Sequence, residues 1–346
     1  MRVSILILIP VLFLLFGCSQ KNEDHPQLTP AFYYWKTTFR LSDGEQKLLK
    51  ETGASPLYIR FFDIDWKPGV GAVPVAQLEL DSTASIGVPI VPVVFITNRT
   101  MINIRTGDID TLTGRILKKI DYIAQGFPDE IREIQLDCDW SEKSREHYFA
   151  LIKKLQKRVK NRGVIVTSTL RLHQYRYPRQ TGIPPLPKVM LMFYNMGNVS
   201  DMAETNSILN LAKAAPYIEE ATPYPIPLDI AVPVFGWGVL FRGGKTIDLL
   251  KGLREKDLQD SLRFHKIREN HFEVIKSTYL DGVYLYEGDL IRLESTSEKL
   301  LLECVPLLRK AINQPNTRIA FYHLDSSIQK DFSNEFICRF FDEISK

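Results

Sequence analysis

From Phe32 onward the chain alternates short runs rich in Val, Ile, Leu, Phe and Tyr with longer stretches whose apolar residues recur every three or four positions. The short runs read as strands, and the longer spacing places apolar side chains on one face of a helix. The strand-like runs fall at 32–37, 57–63, 90–96, 133–139, 164–171, 188–195, 228–235 and 318–325. Ser144–Lys160 is the clearest helix, with Tyr148, Leu151, Ile152, Leu155 and Val159 along one side. Strands alternating with helices in this number predict an α/β fold, a parallel (β/α)8 TIM barrel whose helices cover the outer sides of the strands. The competing doubly wound sheet calls for a Gly-x-Gly-x-x-Gly turn after the first strand, and none is present.

The connection between the seventh and eighth runs is far longer than a crossover needs. Within it, Phe272–Ser277 and Gly282–Tyr286 read as paired strands turning near Tyr279–Asp281, and Glu298–Ile312 reads as a helix. An α+β insertion at about 243–300 is therefore expected on the rim, where long loops shape a cleft.

Residues 1–17 break the alternation. Arg2 precedes an apolar run, Ile5 to Phe16, and Gly17 stands before Cys18, the layout of a bacterial lipoprotein signal. Cleavage before Cys18 would leave its sulfur and new amino group to carry acyl chains such as palmitate, each buried methylene adding about 0.8 kcal/mol of membrane affinity. Residues 18–30 are polar and read as a flexible tether, leaving 31–346 for the barrel. Ser19 resembles an outer-membrane sorting pattern, and Lys21, Glu23 and Asp24 resemble the charged export signal of Bacteroidetes lipoproteins. The expectation is a protein lipid-anchored to the bacterial cell envelope, at the outer membrane and facing outward.

Composition narrows the partners. A hydrophobic share of 45% and a charged share of 25% suit a globular core, and a net charge of +3 with interspersed signs gives no basic stripe for nucleic acid. Cys138, Cys304 and Cys338 form no Cys-x-x-Cys pair and read as three buried small hydrophobes. No cofactor and no metal are expected.

In a barrel, chemistry gathers where strands end. The fourth run alternates Ile134, Leu136 and Cys138 with Gln135, Asp137 and Asp139, so if the apolar set meets the helices, both aspartates point into the mouth. Two close carboxylates repel, which raises one pKa and keeps an acid protonated near neutrality. Other strand ends offer Asp63, Asp65, Asn98, Arg99, Arg171, Tyr194, Asn195, Trp237, His323 and Asp325. Aromatic residues crowd the same places: Tyr33, Tyr34, Trp35, Trp66, Trp140, Tyr175, Tyr177, Phe193, Tyr194 and Trp237. Stacking faces beside carboxylates, amides and guanidinium groups suit a carbohydrate.

These segments resemble the chitinase-like glycoside hydrolases. In that family the fourth strand reads Asp-x-x-Asp-x-Asp-x-Glu, the sixth ends Met-x-Tyr-Asp, and the seventh carries a Pro-Phe-Tyr-Gly-like run. Gln-Leu-Asp-Cys-Asp-Trp-Ser-Glu, Met192-Phe193-Tyr194-Asn195 and Val232-Pro233-Val234-Phe235-Gly236-Trp237 are similar here. The chain departs from the family at Ile134, at Asn195 and at Ser141, which stands where the acid glutamate belongs; Glu142 lies one residue late. The Gln-Leu-Asp-x-Asp run also resembles a group of uncharacterised bacterial barrel lipoproteins. The resemblance implies a glycoside hydrolase-like barrel acting on a glycan with Asp137, Asp139 and Glu142 as catalytic candidates. Trp35, Asp63, Arg171, Tyr194, Asn195, Trp237 and Asp325 are the substrate-binding candidates. Two alternatives stay open: a non-catalytic lipoprotein binding sugar or protein at the same mouth, and a metal-dependent hydrolase using Asp63, Asp65, His323 and Asp325. Glu287 and Asp289 are reserve carboxylates in the insertion.

Overall fold

The computed structural model describes residues 26–81, 87–325 and 328–346. Among them, parallel strands β1 (Gln27–Tyr34), β2 (Leu57–Lys67), β3 (Ile90–Ile96), β4 (Glu133–Asp137), β5 (Ile165–Arg171), β6 (Val189–Met192), β7 (Leu228–Pro233) and β8 (Asn316–Tyr322) pair in chain order. β1 pairs with β8 on one side and β2 on the other, which closes a (β/α)8 TIM barrel. Helices α1 (Asp43–Thr52), α2 (Ile109–Ala124), α3 (Arg145–Val159), α4 (Leu211–Glu219), α5 (Glu298–Ala311) and α6 (Asn334–Ser345) supply the outer layer. Two short helices, Leu172–Arg176 and Pro178–Thr181, follow β5.

Local chemistry fixes these boundaries. Ser42 and Glu45 form a reciprocal cap that starts α1, and Gly53, at φ +61°, ends it. α3 buries the five apolar residues that the sequence spacing aligns, and its Tyr148 hydroxyl lies 2.6 Å from Ser168 Oγ of β5. Several strands are shorter than their apolar runs. β4 stops at Asp137, β6 at Met192, β7 at Pro233 and β8 at Tyr322, so Asp139, Asn195, Phe235 and Asp325 lie in the loops above.

The barrel interior has a polar floor. Arg318 bridges Tyr58 Oη (2.8 Å) and Glu133 Oε2 (2.5 Å), Thr167 Oγ1 donates to Glu133 Oε1 (2.8 Å), and Lys188 pairs with Asp229 (2.5 Å). Above it Tyr33 stacks on Tyr58 at 4.9 Å between centroids and donates to Gln135 Oε1 at 2.6 Å.

The insertion begins at Gly236 as an antiparallel sheet, in spatial order Lys245–Lys251, Gly236–Arg242, Leu290–Ser295, His271–Val274 and Phe264–Arg268. Leu240, Leu250, Phe264, Phe272, Val274 and Ile291 give it a core of its own. His271–Val274 therefore pairs with Phe264–Arg268 and Leu290–Ser295, not with 282–286 as expected. The turn at Asp281 and Gly282, both at positive φ, instead closes a small hairpin of Thr278–Leu280 with Val283–Leu285. Cys138 and Cys304 are buried, but Cys338, on the outer face of α6, is exposed and does not serve as core. No helix among the described residues is long and apolar enough to cross a membrane. The leader and Cys18 lie outside the described residues.

Candidate functional site

The alternation in β4 divides its side chains as its sequence implies. Ile134, Leu136 and Cys138 pack in the layer beneath the helices, while Asp137 lies inside the barrel with 4% of its surface exposed. Thr169 Oγ1, on β5, donates to Asp137 Oδ1 at 2.6 Å. Burial lifts the Asp137 carboxyl to about 6; the nearby Arg171 charge opposes this and Asp139 adds to it. Asp139 sits past the strand end, half-exposed, and accepts from both Nε and Nη2 of Arg171. Burial works against the Arg171 charge, but Asp139 and Asp137 outweigh it and hold the guanidinium protonated. Asp139, Arg171, His173, Tyr194, Asn195 and Tyr217 line a cavity of about 300 Å³. Tyr194 is buried there, and desolvation keeps its phenol neutral.

Asn195 also borders a larger cleft of about 1010 Å³ between the barrel mouth and the insertion. A chain of aromatic rings runs along it. Trp35 meets Tyr322 at 5.6 Å, Tyr322 meets Phe235 at 5.7 Å, and Phe235 meets Trp237 at 5.2 Å between centroids. The Trp237 indole N–H donates to Glu294 Oε2 at 2.9 Å, which fixes the ring's orientation. Glu294 is itself buried and paired with Arg292 at 2.6 Å, and it accepts from Ser207 Oγ. Arg292 Nη2 reaches Val199 O at 2.9 Å and Nη1 reaches Asp201 O, so this pair clamps the insertion to the loop after β6. Asn195 adopts φ +56°, a left-handed conformation that asparagine tolerates better than most residues.

The remaining candidates are spread out. Asp63 is held by Arg60, whose guanidinium lies 5.5 Å from the Trp35 ring centroid. Asp65 is locked by Arg99 with help from Thr97, and these bonds hold its carboxyl below the usual carboxylate range. His323 and Asp325 face the cleft with Nε2 and Oδ2 3.8 Å apart, and burial pushes the imidazole pKa down. Among the described residues no group of three or more metal-ligating side chains is close enough to hold an ion. Glu142 is exposed and lines neither cavity, and at position 141 the serine amide donates to Ser144 Oγ at 2.9 Å. Ser144 Oγ in turn donates to Asn98 Oδ1 at 2.6 Å, so a network of hydroxyls and an amide fills this corner. In the insertion, Asp289 is tied to Arg242 by two bonds of 2.7 and 2.8 Å, and Glu287 is exposed.

The rim is less aromatic than the sequence suggests. Tyr34, Trp140, Tyr175 and Phe193 are buried; Trp140 stacks on Tyr148 at 5.3 Å and donates to Thr181 O at 2.9 Å. One residue of the aromatic chain, Tyr322, escapes the sequence reading, and Phe235 enters it only within the seventh-strand motif. For Tyr322 the available signal was its register with Arg318 and Ala320, which also face inward.

Solved structures match this architecture across most of its length. The spore cortex-lytic enzyme SleL of Bacillus megaterium QM B1551 superposes with a TM-score of 0.55 at 14% identity, covering 92% of this chain and 74% of that one. A chitinase from Cycas revoluta, solved with (GlcNAc)4, gives 0.53 at 13% identity, covering 90% and 99%. Catalytic domain 2 of the group II chitinase of Ostrinia furnacalis gives 0.51 at 10% identity, covering 93% and 97%. The chain folds as a chitinase-like TIM barrel. At these identities the likeness concerns the fold alone. No protein-family model and no curated protein sequence matches the chain.

Proposed function

We propose that this chitinase-like barrel binds a glycan along its mouth without cleaving it. The observation that carries the reading is the run Trp35, Tyr322, Phe235 and Trp237 on the floor of one cleft, together with a serine network at position 141. Aromatic faces stack on the C–H faces of sugar rings, and Asn195 at the edge supplies an amide for hydroxyls. Glycosidic cleavage needs an acid at the leaving oxygen, and Asp139, the carboxylate that lines the smaller cavity, is engaged in an ion pair with Arg171. N-acetylglucosamine oligomers are the natural first probe, since a structural neighbour was solved with them. Titration calorimetry is expected to show saturable binding, weakened roughly tenfold or more in Trp237→Ala. Heat traces indistinguishable from buffer across a panel of glycans would end the proposal.

A second reading, hydrolysis through Asp137 and Asp139, is favoured by one feature: Asp137 retains its proton up to a pH of about 6 inside the barrel. Prolonged incubation with the same oligomers separates the two. Product that disappears in Asp139→Asn supports catalysis, and absence of product leaves binding.

We further propose that the chain is held on the bacterial envelope by lipid on Cys18. Cys18→Ser is expected to move the protein from the membrane fraction to the soluble fraction and to abolish incorporation of labelled palmitate. An unchanged distribution would reject the anchor.

A further inference from the structure

Charges around the large cleft are unequally matched. Three of its acids are engaged: Glu255 with Lys266 at 2.5 Å, Glu294 with Arg292 at 2.6 Å, and Asp331 with Arg254 at 2.7 Å. A fourth, Asp325, faces His323. Lysines 251, 256 and 330 also line the cleft, and none of them has an acidic partner among the described residues.

Strand register places one of these lysines with particular economy. Trp237 lies directly opposite Glu294 on one neighbouring strand and Lys251 on the other. Side chains opposite one another in an antiparallel sheet share a face at about 5 Å between Cβ atoms, so Glu294, Trp237 and Lys251 form a row facing the cleft. Arg292 takes the charge of Glu294, and Glu294 takes the indole N–H. What remains for a ligand is the indole face with an ammonium group beside it. Across the cleft, the His323 imidazole feels the positive charges of Lys36 and Lys251. Lysines without an acidic partner on a low-dielectric wall attract a ligand group of the opposite sign.

The geometry points to a glycan that carries carboxylates, with a sugar stacked on Trp237 and its acid group held by Lys251 and Lys256. This rests on the glycan-binding reading above and names the substrate class for it. Two sugar chemistries supply such an acid, a uronic acid ring or a lactyl ether on an amino sugar.

Calorimetry on the whole chain with three probes tests it: a neutral N-acetylglucosamine hexamer, an oligomer alternating uronic acid with N-acetylhexosamine, and an oligomer of amino sugars bearing lactyl ethers. At least one acidic probe is expected to bind roughly tenfold tighter than the neutral one at low salt, and which one does so identifies the source of the acid. The advantage should shrink severalfold at about 0.5 M salt, where screening reaches within a few ångströms. Lys251→Gln and Lys256→Gln should each cut the acidic-to-neutral affinity ratio roughly threefold to fivefold. Lys157→Gln, on the exposed side of α3, should leave that ratio where it was. Equal affinity for all three probes, or a ratio indifferent to both salt and Lys251→Gln, overturns the inference while sparing glycan binding. Failure of every probe to bind overturns both.

Discussion

Arg292→Ala should cost about 3–5 kcal/mol of stability, the largest loss expected from any single substitution outside the apolar core. The side chain is fully buried, as is its partner Glu294. Removing it strands a carboxylate in the interior, takes a donor from the carbonyl oxygens of Val199 and Asp201, and deletes a cation resting 5.1 Å from the Phe241 ring centroid. Urea unfolding followed by circular dichroism measures the loss. Limited proteolysis should also cut near 199–207 first, because that loop is fastened to the insertion by this clamp. Arg292→Met combined with Glu294→Gln should recover much of the stability: the interior charge is gone, and the glutamine oxygen still accepts from Trp237 and Ser207. A single variant as stable as the parent would show that the pair contributes nothing net.

Asp137→Asn should stabilise the protein above neutrality and leave it nearly unchanged in acid. Burial raises the folded-state pKa of Asp137 to about 6, against about 3.9 in an unfolded chain. A carboxyl shifted upward favours folding while it is protonated, so its contribution is intact below about pH 4 and drains away as pH rises through 6. At pH 8 the parent holds a desolvated charge costing about 3 kcal/mol, a cost the asparagine does not carry. Unfolding midpoints at pH 4, 6 and 8 should therefore diverge between parent and variant, with the gap complete by about pH 7. A constant gap across that range would mean that Asp137 does not titrate there.

How far the sequence reached can be traced residue by residue. Each apolar run became a barrel strand because period-two alternation and strand length are local properties, and the alternation in β4 placed Asp137 inward. Phase was lost where the backbone departs from the pattern. A register shift between Arg60 and Phe62 in β2 lets Asp63 fold back onto Arg60 and face Asp137, which strict alternation would forbid. Past the strand ends, direction depends on the loop's path: Trp140 turned under α3 and Glu142 turned out to solvent. The insertion's pairing was least legible. Its core joins residues far apart in the chain, such as Leu240 and Ile291, and only the Asp281-Gly282 turn carried a local signal.

Gly236 and Ser295 lie opposite one another in register, so the inserted sheet departs from the barrel and returns to it at a single doorway. A segment whose two ends meet can be exchanged for another without disturbing closure of the parent scaffold. Half of the cleft wall thus behaves as a cassette: chimaeras that graft a different sheet between β7 and α5 should alter which polymer is gripped while the eight-stranded chassis stays as it is.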